Sequence, residues 1–269
     1  MLGAGLITFR ETLEASLVVG IIFSLLTKTN QHIYKKFVWW GIGVGGGFAA
    51  ILAYVLYIFY GGLSGRMEEI FEGIFMFVTA GFLTWMILWV HRQKDIVINI
   101  KRKVTEHTQS GYGLGIFFLT ASAVIREGTE TVLYLQATTI AGSQNLLWGA
   151  FAGMMIALFI GYLIFFWAMR IRFQTVFDVT SVFLLLFAAG LVAHGVHEFQ
   201  EVGVIPVYSF DPIFNISWLL DHKSTFGSLL RTVFGYTSKP TFLELVSYSS
   251  YVAFIFWLER VTDKMIAKK

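Results

Sequence analysis

Apolar residues in this chain come in long unbroken runs rather than in alternation or at amphipathic spacing. Seven runs approach or exceed the roughly 20 residues a helix needs to cross a hydrocarbon core: about 2–27, 37–60, 68–91, 111–140, 146–169, 175–196 and 241–258. Polar positions gather in short connections, with one long connection at about 197–240. The pattern predicts an all-α polytopic membrane protein, seven transmembrane helices forming one domain over 1–269. The fourth run is long enough to leave its first turns at the interface.

Composition agrees and then narrows the chemistry. The chain is 56% hydrophobic and 14% charged, where a soluble domain carries about a quarter charged residues. Its mean hydropathy is +0.69. With no cysteine, disulfides, thiolate ligands and Cys-based catalysis are excluded, so a metal must be held by oxygen or imidazole. The sequence pI near 9.0 is not a nucleic-acid signal, because the basic residues sit in loops between spans. Fourteen of the 20 Lys and Arg lie on one side, in the 1–2, 3–4 and 5–6 connections and the C-terminal tail. Arg66, Lys223, Arg231 and Lys239 lie on the other, and Arg10 and Arg126 fall inside helices. The positive-inside rule therefore puts the N-terminus outside and the C-terminus in the cytoplasm. Met1 leads directly into an apolar run without a basic n-region, so no cleavable signal peptide is expected. Trp39/Trp40 and Trp85/Trp89 suit interfacial belts or packing.

The first six runs read as two copies of three. Arg10-Glu11-Thr12-Leu13-Glu14 matches Arg126-Glu127-Gly128-Thr129-Glu130 at an offset of 116. Trp40-Gly41 with Tyr54 matches Trp148-Gly149 with Tyr162 at 108, and Ala80-Gly81 matches Ala189-Gly190 at 109. A three-helix copy has odd parity, so the second copy is inverted, as in secondary transporters whose sites lie at the midplane between repeats. The expectation is a 3+3 inverted repeat (repeat A about 1–91, repeat B about 111–196), an extracytoplasmic loop of about 197–240 and a seventh helix at about 241–259.

On a helix, Glu11 and Glu14 are i,i+3 neighbours and Arg10 and Glu14 are i,i+4 neighbours, so all three share one face. Arg126, Glu127 and Glu130 repeat this. An ionised group at the centre of a membrane helix costs about 2.5–3.5 kcal/mol, so six of them require compensation. Arg-Glu pairing as a purely structural tie accounts for two carboxylates. The other two leave a formal charge of −2, which protonation or a bound cation would balance. Four carboxylates without Cys suit a hard ion such as ferric iron, and equally manganese or calcium.

The other polar groups inside or beside the runs are weaker candidates. Glu72, about one turn inside the third run, either lines a pathway or stabilises a helix N-terminus, as Glu68 and Glu69 do. Its repeat partner is Ser181, so the role is not duplicated. His194, His197, Glu198 and Glu201 fall on adjoining faces if the sixth helix continues, at the outer mouth, where they are either an ion-capture vestibule or an ordinary hydrated helix end. Asp211, Asp221 and His222 on the long loop are weaker still, and Asp178 is read as interfacial. The run Gly41–Gly47 lacks the lysine of a phosphate loop and sits in an apolar span, so it is read as close helix contact, as are Gly149 and Gly153.

Two R-E-x-x-E helices within seven spans resemble the oxidase-dependent iron permeases, which include the fungal high-affinity permease and the bacterial EfeU type. The resemblance runs over essentially the whole chain. Arg126–Glu130 matches the R-E-G-x-E form, and Arg10–Glu14 departs from R-E-G-L-E by Thr12 in place of Gly. The resemblance implies inward movement of iron, ferric by preference, with Glu11, Glu14, Glu127 and Glu130 binding it and Arg10 and Arg126 in support. It implies an extracytoplasmic oxidase, peroxidase or iron-binding partner, a plasma membrane location (the bacterial inner membrane), iron as cargo with no cofactor, and no enzyme activity. The alternatives are a permease for ferrous iron, manganese, lead or protons alone, and a metal sensor without flux. More distant is an intramembrane metalloprotease, against which the chain offers H-x-x-H-E where such enzymes carry H-E-x-x-H.

Overall fold

The computed structural model describes residues 2–92, 102, 104, 113–140, 146–166, 173–205, 213, 215, 227, 230 and 236–266. Among them are seven long helices and no strand: α1 (Leu2–Lys28), α2 (Lys35–Gly61), α3 (Arg66–Arg92), α4 (Gly113–Ile140), α5 (Leu146–Phe166), α6 (Phe173–Glu201) and α7 (Phe242–Ile266). Each apolar run has its helix. At 1.5 Å per residue a 27-residue helix reaches about 40 Å, enough to cross a bilayer with its interfaces.

Four segments are long and apolar enough to cross a membrane by composition: His32–Gly61, Arg66–Leu88, Leu146–Ile164 and Ser181–Glu201, with Phe242–Leu258 a shorter apolar stretch. Of the three helices outside the four, α7 carries the shorter apolar stretch, and α1 and α4 carry the Arg-Glu clusters. The outer faces agree with a lipid solvent. Helix α2 alone exposes Trp39, Trp40, Phe48, Ile51, Tyr54 and Tyr57, a surface no soluble protein leaves open. The chain is a multi-pass membrane protein.

Two helix boundaries are set by local chemistry. Helix α1 stops where Asn30 turns left-handed (φ 55). The Asn30 N–H then bonds the Thr27 carbonyl at 3.2 Å and the Gln31 N–H bonds the Leu26 carbonyl at 2.8 Å, a Schellman ending. Helix α6 ends in the same way at Gly203 (φ 78), with Val204 N–H on the Phe199 carbonyl at 2.9 Å. The sixth helix therefore runs past 196, where hydropathy alone ends it, to Glu201, and carries His197, Glu198 and Glu201 with it. This corrects the expected start of the long loop.

Two compact units emerge. The first comprises Met1–Gly61, Gln93–Gln136 and Asn145–Phe173; the second comprises Gly62–Arg92, Ala137–Gln144 and Gln174–Lys269. In the first, glycines let backbones meet. A Cβ on Gly153 would lie on the Gly5 carbonyl oxygen, and a Cβ on Gly5 would lie 3.0 Å from the Gly149 carbonyl oxygen. These contacts seat α1 on α5. Helix α2 seats on α4 likewise: a Cβ on Gly41 would lie 3.0 Å from the Ala121 nitrogen, and one on Gly45 2.7 Å from the Val124 side chain. Of the glycines in the Gly41–Gly47 run only these two stand against another helix among the described residues; Gly43, Gly46 and Gly47 have nothing within 4 Å.

The two contacts are copies of each other. Moving 41 by 108 gives 149, and moving 5 by 116 gives 121, so the pair Gly41–Ala121 becomes Gly149–Gly5. In the second unit α3 and α6 approach through Gly73, whose Cβ would lie 3.0 Å from Phe199, and the Phe77 and Phe199 rings stack at 5.7 Å. Tyr251 of α7 and Thr84 of α3 share a hydrogen bond of 2.6 Å.

Candidate metal centre

The centre is built on α1 and α4, in the first unit. Arg10 and Glu11 are adjacent in sequence and Glu14 is one turn on, so α1 presents all three together. Arg10 Nη1 lies 2.5 Å from Glu11 Oε1, and Nη2 lies 2.6 Å from Glu14 Oε1. The guanidinium is 1% exposed and Glu11 is fully buried, so the pair is shielded from bulk solvent.

Helix α4 brings its own trio. Arg126 Nε donates to Glu130 Oε1 at 3.0 Å and reaches Glu127 Oε1 at only 3.8 Å. The phenol of Tyr134, one turn further and fully buried, donates to Glu130 Oε2 at 3.4 Å. Glu130 is thereby held at both oxygens, and Glu127 is left facing α1.

The result is a three-carboxylate group. Glu11, Glu14 and Glu127 each offer an oxygen, and these three atoms lie within 4.8 Å of one another. No other three acidic or imidazole ligands among the described residues come as close. Glu11 Oε2 and Glu127 Oε2 are buried and accept no hydrogen bond among the described residues. The Thr8 hydroxyl, one turn before Glu11, is buried and likewise has no hydrogen-bond partner among the described residues. Buried oxygens of one sign that lack donors are expensive to leave so, and a cation among them supplies what is missing. Of the four glutamates expected from sequence, the structure draws three together and ties the fourth to Arg126 and Tyr134.

The second unit holds the other expected residues. His197 stands between two carboxylates, Nδ1 at 2.9 Å from Glu244 and Nε2 at 3.2 Å from Glu201. His194 is 3.7 Å from Glu198, and the two imidazoles stack at 6.0 Å. Glu72 and Glu69 of α3 are near enough to repel Glu198. These side chains form an ion-pair network, with both His197 nitrogens already engaged. Asp211, Asp221 and His222 lie outside the described residues, and Asp178 falls in α6.

Three participants were not singled out from sequence. Thr8 and Tyr134 were each legible as one-turn neighbours of a cluster glutamate. Glu244 was legible as a capping box: Thr241 N–H bonds Glu244 Oε2 at 2.9 Å and Glu244 N–H bonds Thr241 Oγ1 at 3.4 Å, the T-x-x-E pattern just before an apolar run.

Residues 1–261 match the model of the iron permease FTR1 family. The chain belongs to that family. It is 32% identical over 258 residues to the ferrous iron permease EfeU of Escherichia coli O6:H1, covering 92% of this chain and 91% of that one. It is 32% identical over 262 residues to the ferrous iron permease EfeU of Yersinia pestis, covering 92% and 89%. An uncharacterised protein of Archaeoglobus fulgidus is 32% identical over 264 residues, covering 94% and 92%. No solved structure matches the chain. In this FTR1-family chain α1 and α4 each carry an Arg-Glu cluster with buried carboxylates, and Glu198 of α6 and Glu244 of α7 are buried as well.

The departure from the family pattern also has a geometry. A Cβ on Gly128 would lie 2.7 Å from Ala49 Cβ on α2, so α4 needs glycine in its motif. Thr12, at the matching position of α1, is half-buried.

Proposed function

We propose that this protein carries iron inward across the bacterial cytoplasmic membrane, and that Glu11, Glu14 and Glu127 are the seat the ion occupies on its way. The observation that carries the reading is the convergence of three buried carboxylates from two helices within 4.8 Å. Seven spans, an outer N-terminus and a cytoplasmic C-terminus accompany it, as the loop charges favour. The exchangeable contacts Gly41–Ala121 and Gly149–Gly5 favour an inverted repeat, in which the path can open to either side in turn. An extracytoplasmic oxidase, peroxidase or iron-binding partner would deliver the ion. We read the protein as a transporter rather than an enzyme.

The charge count bears on the cargo. With Glu130 neutralised by Arg126, the seat is three carboxylates and Arg10, a formal −2. A divalent ion balances that without a further proton, so the count weighs toward ferrous iron, whereas the hardness of an all-carboxylate site alone suggests ferric. Manganese and lead would satisfy the same count.

The test is uptake of radioactive iron into liposomes holding the purified protein, supplied as ferrous or ferric ion with manganese and lead as competitors. Wild type is compared with Glu14→Gln, Glu127→Gln and Glu130→Gln. Loss of uptake in Glu14→Gln and Glu127→Gln with insertion intact is the expected result. Normal uptake in both would sink the carboxylate path and leave the clusters as structural pairs.

A further inference from the structure

We infer that Tyr134 is a positioning residue that keeps Glu130 out of the ion seat, so that the seat binds with three carboxylates and can let go. The inference rests on the reading that these carboxylates carry the ion. Glu130 belongs by sequence to the same pattern as Glu14, and it lies near enough for its charge to act on Glu14. It is diverted by two donors on its own helix: Arg126 Nε on one oxygen at 3.0 Å and the Tyr134 phenol on the other at 3.4 Å. In α1 the position matching Tyr134 is Val18, which has no donor to offer, and Glu14 stays in the seat.

The phenol lies at the meeting point of both clusters. Tyr134 is fully buried, and its oxygen is near enough to feel the charges of Glu11, Glu14 and Arg10 as well as Glu130. A contact of 3.4 Å is long for an O–H···O bond. It can orient a carboxylate while yielding to a stronger pull. A fourth hard carboxylate would deepen the well for a metal ion, and conduction requires binding loose enough to leave as well as favourable enough to enter. Tyr134 sets that balance by what it withholds.

The experiment is ferrous uptake by full-length protein in liposomes across a concentration series, for wild type, Tyr134→Phe, Glu130→Gln and the double variant. The phenylalanine keeps the ring and removes the donor. Glu130 Oε2 then lacks a partner, and the expected result is an apparent KM lowered about tenfold, the size of one hydrogen bond to a charged group, with Vmax lowered to match. In the Glu130→Gln background the same substitution should change neither. A packing role would lower the amount of folded protein without moving KM. An unchanged or raised KM in Tyr134→Phe, or a full effect in the double variant, overturns the inference. If Tyr134→Phe does not insert, Tyr134→Leu serves instead: it also removes the phenol donor to Glu130, a lowered apparent KM is again the expected result, and an unchanged or raised KM overturns the inference. Dead Glu14→Gln and Glu127→Gln with a wild-type Tyr134→Phe would dismiss Tyr134 alone. Active Glu14→Gln and Glu127→Gln would dismiss the seat itself.

Discussion

The same five-residue pattern occurs on α1 and α4, and the two copies are put to different use. On α1 one buried guanidinium grips both glutamates, at 2.5 and 2.6 Å. On α4 the guanidinium is a quarter exposed and closes on one glutamate at 3.0 Å, leaving the other at 3.8 Å. Duplication of a sequence therefore does not duplicate a role. The surroundings decide which carboxylate faces the partner helix: Tyr134 follows one cluster and Val18 the other, Ala49 presses on Gly128, and Thr12 has room for a side chain.

The largest effect expected from this asymmetry lies within α4. Glu127→Gln removes a ligand, whereas Glu130→Gln removes a group already neutralised by Arg126. Uptake in Glu127→Gln should fall by about ten- to a hundredfold, since a lost charge-assisted contact is worth about 1.5–3 kcal/mol. Glu130→Gln should retain measurable flux. Equal loss in the two would mean that all four glutamates act alike and that the asymmetry is irrelevant to transport.

Stability should separate the two arginines next. Breaking a buried pair by removing one partner costs about 3–5 kcal/mol, and Arg10 leaves two glutamates uncompensated. Arg10→Gln should therefore lower the thermal midpoint in detergent severely, or prevent accumulation, where Arg126→Gln lowers it modestly. The reverse order would mean that the α1 cluster is relieved in some other way, by protonation for instance.

Much of this organisation was legible in the sequence, for identifiable reasons. Apolar runs of membrane length have one stable form, the helix, so seven of them translate directly into elements. Spacings of three and four residues put Arg10, Glu11 and Glu14 on one face before any tertiary contact exists. What could not be read depends on neighbours distant in sequence or on helix ends. The diversion of Glu130 needed the rotamers of Tyr134 and Arg126. The length of α6 was hidden because His197, Glu198 and Glu201 are polar, and only Gly203 in its left-handed turn marks the true end. The run Gly41–Gly47 looked uniform, yet four-residue spacing alone selects Gly41 and Gly45 for contact with α4.

That spacing supports a finer comparison. Gly45→Ala, whose Cβ would lie 2.7 Å from Val124, overpacks the α2–α4 contact and should cost about 1–3 kcal/mol. Gly46→Ala meets nothing within 4 Å and should be neutral, or stabilising by up to about 1 kcal/mol through helix propensity. The same contrast applies to the motif itself: Gly128→Ala should destabilise while Thr12→Gly leaves the fold and the transport intact. Thermal unfolding of the four variants in one detergent checks both pairs, and a destabilised Gly46→Ala would show that the open face of α2 is covered by something other than lipid.

The smallest effects belong to the second unit. The carboxylates of α1 and α4 gather three ligand oxygens in one place, whereas around His197 one imidazole lies at ion-pair distance from both Glu201 and Glu244, and Glu244 also caps α7. A network in which the carboxylates of α6 and α7 already face imidazoles is a tie between helices before it is a ligand set. Glu244→Gln keeps a side-chain oxygen for the Thr241 N–H but weakens the His197 contact, and should reduce stability by about 1 kcal/mol with little change in saturated iron flux. His197→Gln should behave alike. If either variant instead raised the apparent KM for iron several-fold at unchanged stability, the residues at the end of α6 would be a capture site, and the ion would meet imidazole and carboxylate before it met Glu11.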